Sequence, residues 1–160
     1  MKKLFFYLTF IFVLLPAGAY AQELTASQKA FRDKIENYIK EEGYVPSIDP
    51  SDQSVTFKFE GDLLWITVEE ENPFYVEMHA SGFDTEDVDR KAILEACNYT
   101  NSVKRWGKAF VDDAYESISF TVEMFCPDIE TFKKVFRKMV NIVASVKETT
   151  QDKYLSLTEK

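Results

Sequence analysis

His79 is the residue of this chain best suited to acid–base chemistry near neutral pH, and it is the single histidine. Its strand neighbour Glu77 and the distant Glu123 could pair across the sheet as a general acid and base. Catalysis by histidine also needs an orienting acid and a nucleophile, and no such spacing is present. The sequence therefore predicts no catalytic residue, no cofactor and no metal. A small-ligand or metal-dependent enzyme that uses carboxylates near His79 is the alternative.

A run of acids, Asp84, Glu86, Asp87 and Asp89, has the composition of a calcium-binding loop. An EF-hand loop needs a central glycine, and Val88 stands at that position. Acids in the first turn of a helix, in contrast, complement its positive end. The run therefore predicts the start of a helix with Asp84 as its N-cap.

Cys97 and Cys126 could form a disulfide if the protein is folded in an oxidising compartment. Closing that loop would stabilise the fold by roughly 3–4 kcal/mol. The alternative is two separate buried thiols, because a free cysteine behaves as a small hydrophobic residue. A bridge requires the two Cα atoms to lie within about 7 Å. Sequence spacing does not decide that distance, so both alternatives stay open.

The first 21 residues have the pattern of a secretory signal peptide. Two lysines follow Met1 and lead into the apolar run 4–15, which is shorter than the roughly 20 residues that span a bilayer. Ala19 and Ala21 then provide a small-x-small cleavage site. We expect cleavage after Ala21, a periplasmic or secreted location, and no membrane span in the remaining chain.

The formal charge of −8 comes from 19 basic and 27 acidic residues. Cleavage of the signal would remove two lysines and no acid, so the remaining chain would be more acidic still. Phosphate backbones require a basic protein face, so nucleic acid is not an expected partner. An aromatic content of 15% is too high for a disordered chain, and 160 residues suit one folded domain.

Hydrophobic periodicity predicts one α+β domain over residues 22–147, followed by a polar C-terminal tail at 148–160 that is frayed or disordered. Thr25 and Gln28 form a capping box for a first helix at about 26–42. A second helix ends near Thr100, and Asp128 caps a third. Strands are predicted at about residues 55–59, 63–68, 74–80, 104–111 and 117–125. The order is α-β-β-β-α-β-β-α, with an antiparallel sheet of about five to six strands.

One face of that sheet is predicted to carry large side chains away from the helices. Antiparallel sheets often leave such a face in water, and exposed aromatic residues there favour a partner or dimer surface. Cover by the second helix or by the C-terminal segment is the alternative. We call this surface the candidate binding face, and it consists of Leu63, Trp65, Tyr75, His79 and Phe125.

The order and spacing of these elements resemble the YbjN family, a group of bacterial domains that share the fold of type III secretion chaperones. The resemblance is most specific where Asn98-x-x-Asn101 leads through Lys104-Arg105 to Trp106-Gly107, followed by a strand and the acidic turn 112–113. It covers about residues 42–147, in pattern more than in identity.

The resemblance implies an antiparallel sheet with the terminal helices on one face, and a binding or regulatory module, often dimeric, without catalytic residues. It gives Asn98, Asn101, Trp106 and Gly107 structural roles where the helix ends and the strand starts. Secretion chaperones act in the cytoplasm, whereas this chain carries an export signal, so a literal effector-chaperone role is not expected. We therefore expect an exported, non-enzymatic module that binds an unidentified protein or a second copy of itself.

Overall fold

A computed structural model describes residues 23–69, 72–82, 89–111 and 118–159. The predicted signal peptide, the acids at 84–87 and the acidic turn at 112–113 lie outside these residues. The described elements are α1 (Ala26–Glu41), β1 (Ser47–Ile48), β2 (Val55–Phe59), β3 (Asp62–Val68), β4 (Phe74–Ser81), α2 (Arg90–Val103), β5 (Gly107–Val111), β6 (Ile118–Cys126) and α3 (Ile129–Thr158).

The six strands form one antiparallel sheet in the order β1-β2-β3-β4-β6-β5, which confirms the predicted α+β class. Glu60 and Gly61 both have positive φ, at 50° and 97°, so the β2–β3 hairpin turns tightly. This turn sets Phe57 opposite Leu64, and the apolar side chains of both strands face the same side. No helix in the described ranges is long and apolar enough to cross a membrane.

The apolar face of the sheet packs against the helices in one core. Alternating residues of β2, β3, β4 and β6 meet the apolar stripes of α1 and α3, as the periodicity predicts. The fully buried side chains include Phe57, Leu64, Ile66, Met78 and Phe120 from the sheet, with Ile35, Ile39, Phe132, Phe136 and Met139 from the helices.

The capping box of α1 is confirmed. The Thr25 hydroxyl accepts a hydrogen bond from the Gln28 N–H at 3.1 Å, and the Gln28 side chain accepts one from the Thr25 N–H at 2.8 Å. The Gln28 amide also donates to the Val68 carbonyl at 3.4 Å. Gly43, with a φ of 90°, follows the end of the helix. The contact with Val68 attaches the start of α1 to β3.

The start of α2 differs from the prediction, because Asp89 and not Asp84 is its N-cap. The Asp89 carboxylate accepts from the backbone N–H groups of Lys91 and Ala92 at 2.8 and 3.0 Å. Each acid of the run suits a positive helix end equally well, so composition could not decide which one precedes the first turn.

The predicted disordered tail is also wrong, since α3 continues to Thr158. Thr150 is buried there and donates to the Val146 carbonyl at 2.8 Å, while its hydroxyl lies 3.0 Å from that of Thr100. Tyr154 packs against the core from the same stretch. The contacts that hold this part of α3 against α2 are partly polar, so the apolar stripe that ends at Val146 did not reveal them.

The start of β5 is fixed by two residues of the motif that carries the family resemblance. A side chain at Gly107 would place its Cβ 2.6 Å from Cγ2 of Val146, so only glycine lets the strand approach α3 this closely. The Asn101 amide donates to the Ala109 carbonyl, and its oxygen accepts from the Ala109 N–H, both at 2.9 Å. Asn101 therefore satisfies both backbone groups of one residue on the free edge of β5.

We predict that Asn101→Ala lowers the free energy of unfolding by about 1–2 kcal/mol, because it leaves both Ala109 groups without a protein partner. Asn98→Ala is the matched control, since Asn98 lies on the same helix and is exposed. Urea unfolding followed by tryptophan fluorescence measures both. Equal effects of the two substitutions would contradict the structural role of Asn101.

Candidate protein-binding face

The five residues of the candidate binding face lie on the side of the sheet opposite the helices. Along β3 the buried residues Leu64 and Ile66 alternate with Leu63 and Trp65, which point the other way. Leu63 is 44% exposed, and Phe125 at the far end of β6 is 57% exposed. In the part of the chain that the structure describes, the helices contribute their buried residues to the core on the other side.

The sheet register brings four of the five residues together as two aromatic pairs. Trp65 stands opposite His79, and their rings are stacked with centroids 5.2 Å apart and planes 4° apart. Tyr75 stands opposite Phe125, with ring centroids 5.1 Å apart. Leu63 belongs to neither pair, because it lies near the β2–β3 turn opposite Lys58.

Charged residues separate the two aromatic pairs. Glu123 accepts hydrogen bonds from the Tyr75 hydroxyl at 2.6 Å and from the Lys108 ammonium at 2.6 and 2.7 Å. Burial alone would raise the pKa of Glu123, but these hydrogen bonds outweigh it and hold the pKa below its usual value. The same contact with Glu123 raises the pKa of Tyr75, so this phenol stays protonated. Glu123 is therefore a charged hydrogen-bond acceptor, and its donors are the side chains of Tyr75 and Lys108.

Glu77 lies directly opposite Glu123 and is paired instead with His79. Nε2 of His79 lies 3.1 Å from Oε2 of Glu77, and the His79 side chain is only 14% exposed. Burial lowers the pKa of His79, although the nearby acids Glu69, Glu123 and Asp52 act to raise it. Burial, followed by the charge of Glu123, raises the pKa of Glu77. At neutral pH an uncharged imidazole that donates to Glu77 fits both shifts.

The chemistry open to this arrangement is recognition by hydrogen bonding and aromatic contact. Glu123 is held by Tyr75 and Lys108, so it is not a free base, and Glu77 is held by His79. Among the described residues, no group of three or more histidine, cysteine or acidic side chains is placed to hold a metal ion. Around His79, Glu77 is the acid in direct contact, whereas Glu69, Glu123 and Asp52 act on the imidazole only through their charge.

Sequence reasoning did not place Lys108 and Phe110 on this face. Both alternate along β5 with the buried Gly107 and Ala109, and Phe110 is largely exposed. The two-residue alternation of 107–110 is the signal that could have found them, but the strand was predicted to begin near Lys104. With the correct start, β5 adds a cation and an aromatic ring to the candidate binding face.

Trp106 departs from the structural role that the resemblance implies. It is 72% exposed, while its neighbour Gly107 is buried beneath α3. A packed tryptophan at the start of a strand would be largely covered. The side chain of Trp106 is therefore available at the surface, just before the start of β5.

Cys97 and Cys126 are free and buried in the structure, so no disulfide joins them. Cys97 lies on the apolar face of α2, and Cys126 is the last residue of β6. Burial raises the pKa of each thiol to about 11, with the charge of Asp128 adding to the effect at Cys126. Of the two alternatives from the sequence, the structure contains the separate buried thiols.

A six-stranded antiparallel sheet with three helices on one face is the architecture of the type III secretion chaperone class of α+β domains. One similar solved structure is a chain of the HopA1–SchA chaperone–effector complex. It has a TM-score of 0.51 and 8% identity, over 79% of this chain and 99% of that one. Another is the crystal structure of YbjN, a putative transcription regulator from E. coli. It has a TM-score of 0.54 and 16% identity, over 72% of this chain and 86% of that one.

The chain belongs to the YbjN family, described as putative bacterial sensory transduction regulators, which matches residues 32–153. This confirms the resemblance that the motif between Asn98 and Gly107 indicates. The match extends past residue 147 into the part of α3 that the sequence predicted to be a tail. A comparison with curated protein sequences finds no match.

We predict that His79 makes the folded protein less stable as the pH falls. Its pKa is lowered below 6.5 by burial, so protonation favours the unfolded chain, and stability present above pH 6.5 is lost as the pH falls toward the pKa of the folded state. Each unit by which the pKa is lowered corresponds to about 1.4 kcal/mol. His79→Phe keeps a ring against Trp65 and removes the titration.

Urea unfolding of wild type and of His79→Phe between about pH 7 and pH 5 tests this prediction. The stability of the wild type should fall relative to the variant on the acid side. Glu77→Gln is the control, since it keeps the imidazole and removes its acid partner. Parallel stability curves for wild type and His79→Phe would show that the imidazole titrates as in water.

Proposed function

We propose that this protein is an exported, non-enzymatic binding module that captures a protein partner, or a second copy of itself, on the candidate binding face. The observation that carries the proposal is a set of aromatic side chains, Trp65, Tyr75 and Phe125, that lie on the side of the sheet away from the helices. Aromatic groups on an uncovered surface are characteristic of protein interfaces.

These side chains are held in place before any partner arrives. Trp65 is stacked on His79, and Tyr75 is fixed both by its hydrogen bond to Glu123 and by the ring of Phe125. Binding to fixed side chains loses less conformational entropy than binding to mobile ones. The face therefore offers rigid apolar contact area, with charged groups between the rings to orient a partner.

A protein as the binding partner is also consistent with the names of the two similar structures and with the net charge of this chain. One similar structure is named as a chaperone–effector complex and the other as a putative transcription regulator. The formal charge of −8 opposes direct contact with DNA phosphates. A regulator of this charge would act through another protein. A protein-binding role is therefore favoured over direct DNA binding.

Export is the second part of the proposal, and it rests on the sequence of residues 1–21. A positive start, an apolar run and small residues at Ala19 and Ala21 together form a cleavable signal. The partner would then be a protein of the cell envelope or the exterior. This location separates the module from chaperones that hold effectors in the cytoplasm.

Leu63→Ser combined with Trp65→Ser should weaken binding on this face at least about tenfold, because it removes two apolar contacts from the interface. Sedimentation velocity measures self-association, and quantitative capture from an envelope extract measures a partner. Leu94→Ser is the matched control, since Leu94 is a similarly exposed apolar residue on α2, away from the sheet.

The fold should survive both substitutions, which circular dichroism and urea unfolding verify. If the protein sediments as a monomer throughout and the double variant retains every captured partner, the candidate binding face is not the interface. If Leu94→Ser has the larger effect, the interface lies on α2 instead.

The export proposal has its own test in bacterial cells that express the full chain. The mature protein should be recovered from the periplasm or medium with a mass that begins at Gln22. Ala21→Arg should give roughly tenfold less mature protein and accumulate the precursor, because the processing site needs a small residue there. Tyr20→Phe, at the permissive position between the two alanines, should be processed normally. Full-length protein in the cytoplasm of wild-type cells would contradict export.

A further inference from the structure

Strand β6 is longer than the strand beside it. It pairs with β4 from Ser119 to Cys126, but with β5 only from Ile118 to Val122. In the part of the chain that the structure describes, no strand lies beside residues 123–126 on the β5 side. The edge of the sheet therefore has a step, where β6 continues past the start of β5. Helix α3 lies beneath this step, and Trp106 lies at the end of the step next to β5.

The hydrogen-bonding pattern shows which backbone groups face this step. The Tyr75 carbonyl accepts from the Glu69 N–H at 2.9 Å, so the backbone of Tyr75 points toward β3. In an antiparallel pair, opposite residues bond each other or both point away. Phe125, which is opposite Tyr75, therefore directs its N–H and carbonyl away from β4 and into the step.

The bonds between Asn101 and Ala109 lead to the same conclusion independently. Ala109 points away from β6, so its opposite residue Phe120 points toward β4. Residues alternate along a strand, so Thr121 and, four residues on, Phe125 point toward the β5 side. The N–H and carbonyl of Phe125 therefore face the step.

Beneath the step is an apolar cavity of about 190 Å³, which we call the β6-edge groove. Its floor and walls come from β6 and α3, with two methionines that adapt readily to different side chains. Trp106 closes one side and is 72% exposed. The residues that line it include Trp106, Met124, Lys138 and Met139.

Basic residues surround Trp106 in a chain that is acidic overall. Lys104, Arg105 and Lys138 line a second cavity of about 190 Å³, which Trp106 also borders. None of the three has an ion pair with an acid within the described ranges, whereas Lys108, Arg137 and Lys147 do. This is a concentration of uncompensated positive charge beside an apolar groove.

We propose that the β6-edge groove binds an extended, acidic segment of a partner protein, which adds to the sheet as a short strand beside residues 123–126. The Phe125 backbone groups provide strand-type hydrogen bonds, and alternate apolar side chains of the segment enter the groove. Its carboxylates meet Arg105, Lys138 and Lys104. The proposal goes beyond the candidate binding face, which recognises its partner through side chains on the opposite side of the sheet.

A displayed library of random peptides of about 12 residues, selected against the full protein, tests this proposal without a known partner. Enriched peptides should carry acids and alternate apolar residues. They should bind at least about tenfold more weakly to Trp106→Ser and to Arg105→Glu combined with Lys138→Glu. A proline at a central position of an enriched peptide should abolish binding, because a strand needs its N–H groups.

Lys34→Glu combined with Lys91→Glu is the matched charge control, since both lysines are exposed on α1 and α2. The control should bind the enriched peptides as wild type does. Leu63→Ser combined with Trp65→Ser should also leave peptide binding intact, which distinguishes a failure of this groove from a failure of the candidate binding face. Circular dichroism confirms that each variant is folded.

Three results would overturn the proposal. The first is a selection that enriches no peptide, and the second is enrichment of peptides whose binding ignores Trp106→Ser. The third is binding to phosphatidylglycerol vesicles, but not to peptides, that depends on Trp106 and Arg105. That result would assign the same aromatic and basic residues to an anionic membrane surface.

Discussion

The antiparallel register of the sheet is the constraint on which both faces of this protein depend. Side chains alternate between the two sides of a strand, so the pairing that buries Ile66 and Met78 also places Trp65 against His79. A shift by one residue would expose the core and bury the aromatic pair. The tight turn at Glu60 and Gly61 fixes this register for β2 and β3, and the core fixes it for the rest. The arrangement of side chains on the candidate binding face is therefore as well determined as the core itself.

Two carboxylates directly opposite each other would normally destabilise a pair of strands. Here the charged Glu123 is paired with the Lys108 ammonium and accepts a hydrogen bond from Tyr75. Glu77 has a neutral imidazole as its partner. The two acids thus have different surroundings, and their pKa values move in opposite directions. This separation lets charge remain between the aromatic pairs, where it can orient a partner that apolar contact alone would not.

The sequence predicted features that depend on local pattern, and it did not predict those that depend on distant contacts. The Thr25 cap and the alternation of β3 follow from neighbouring residues, so both were predictable. The two-residue strand β1 is too short to show a period, and the end of α3 is held partly by the Thr150–Thr100 contact, which joins distant segments. Alternation along β3, β4 and β6 placed the five predicted residues on one side of the sheet, but Lys108 and Phe110 of β5 were missed. The pairing of the rings could not be predicted, because pairing requires the register.

Unequal strand lengths give this sheet its second surface. An open sheet edge invites pairing with other chains, and proteins usually shorten or cover such edges. On one edge β1 has only two residues, and on the other Asn101 bonds to the β5 backbone while α2 packs alongside. Residues 123–126 receive neither protection in the described structure, yet α3 and Trp106 border them on two sides. An edge left open but enclosed in this way limits access to a single extended segment, so selectivity can come from the groove and its basic rim.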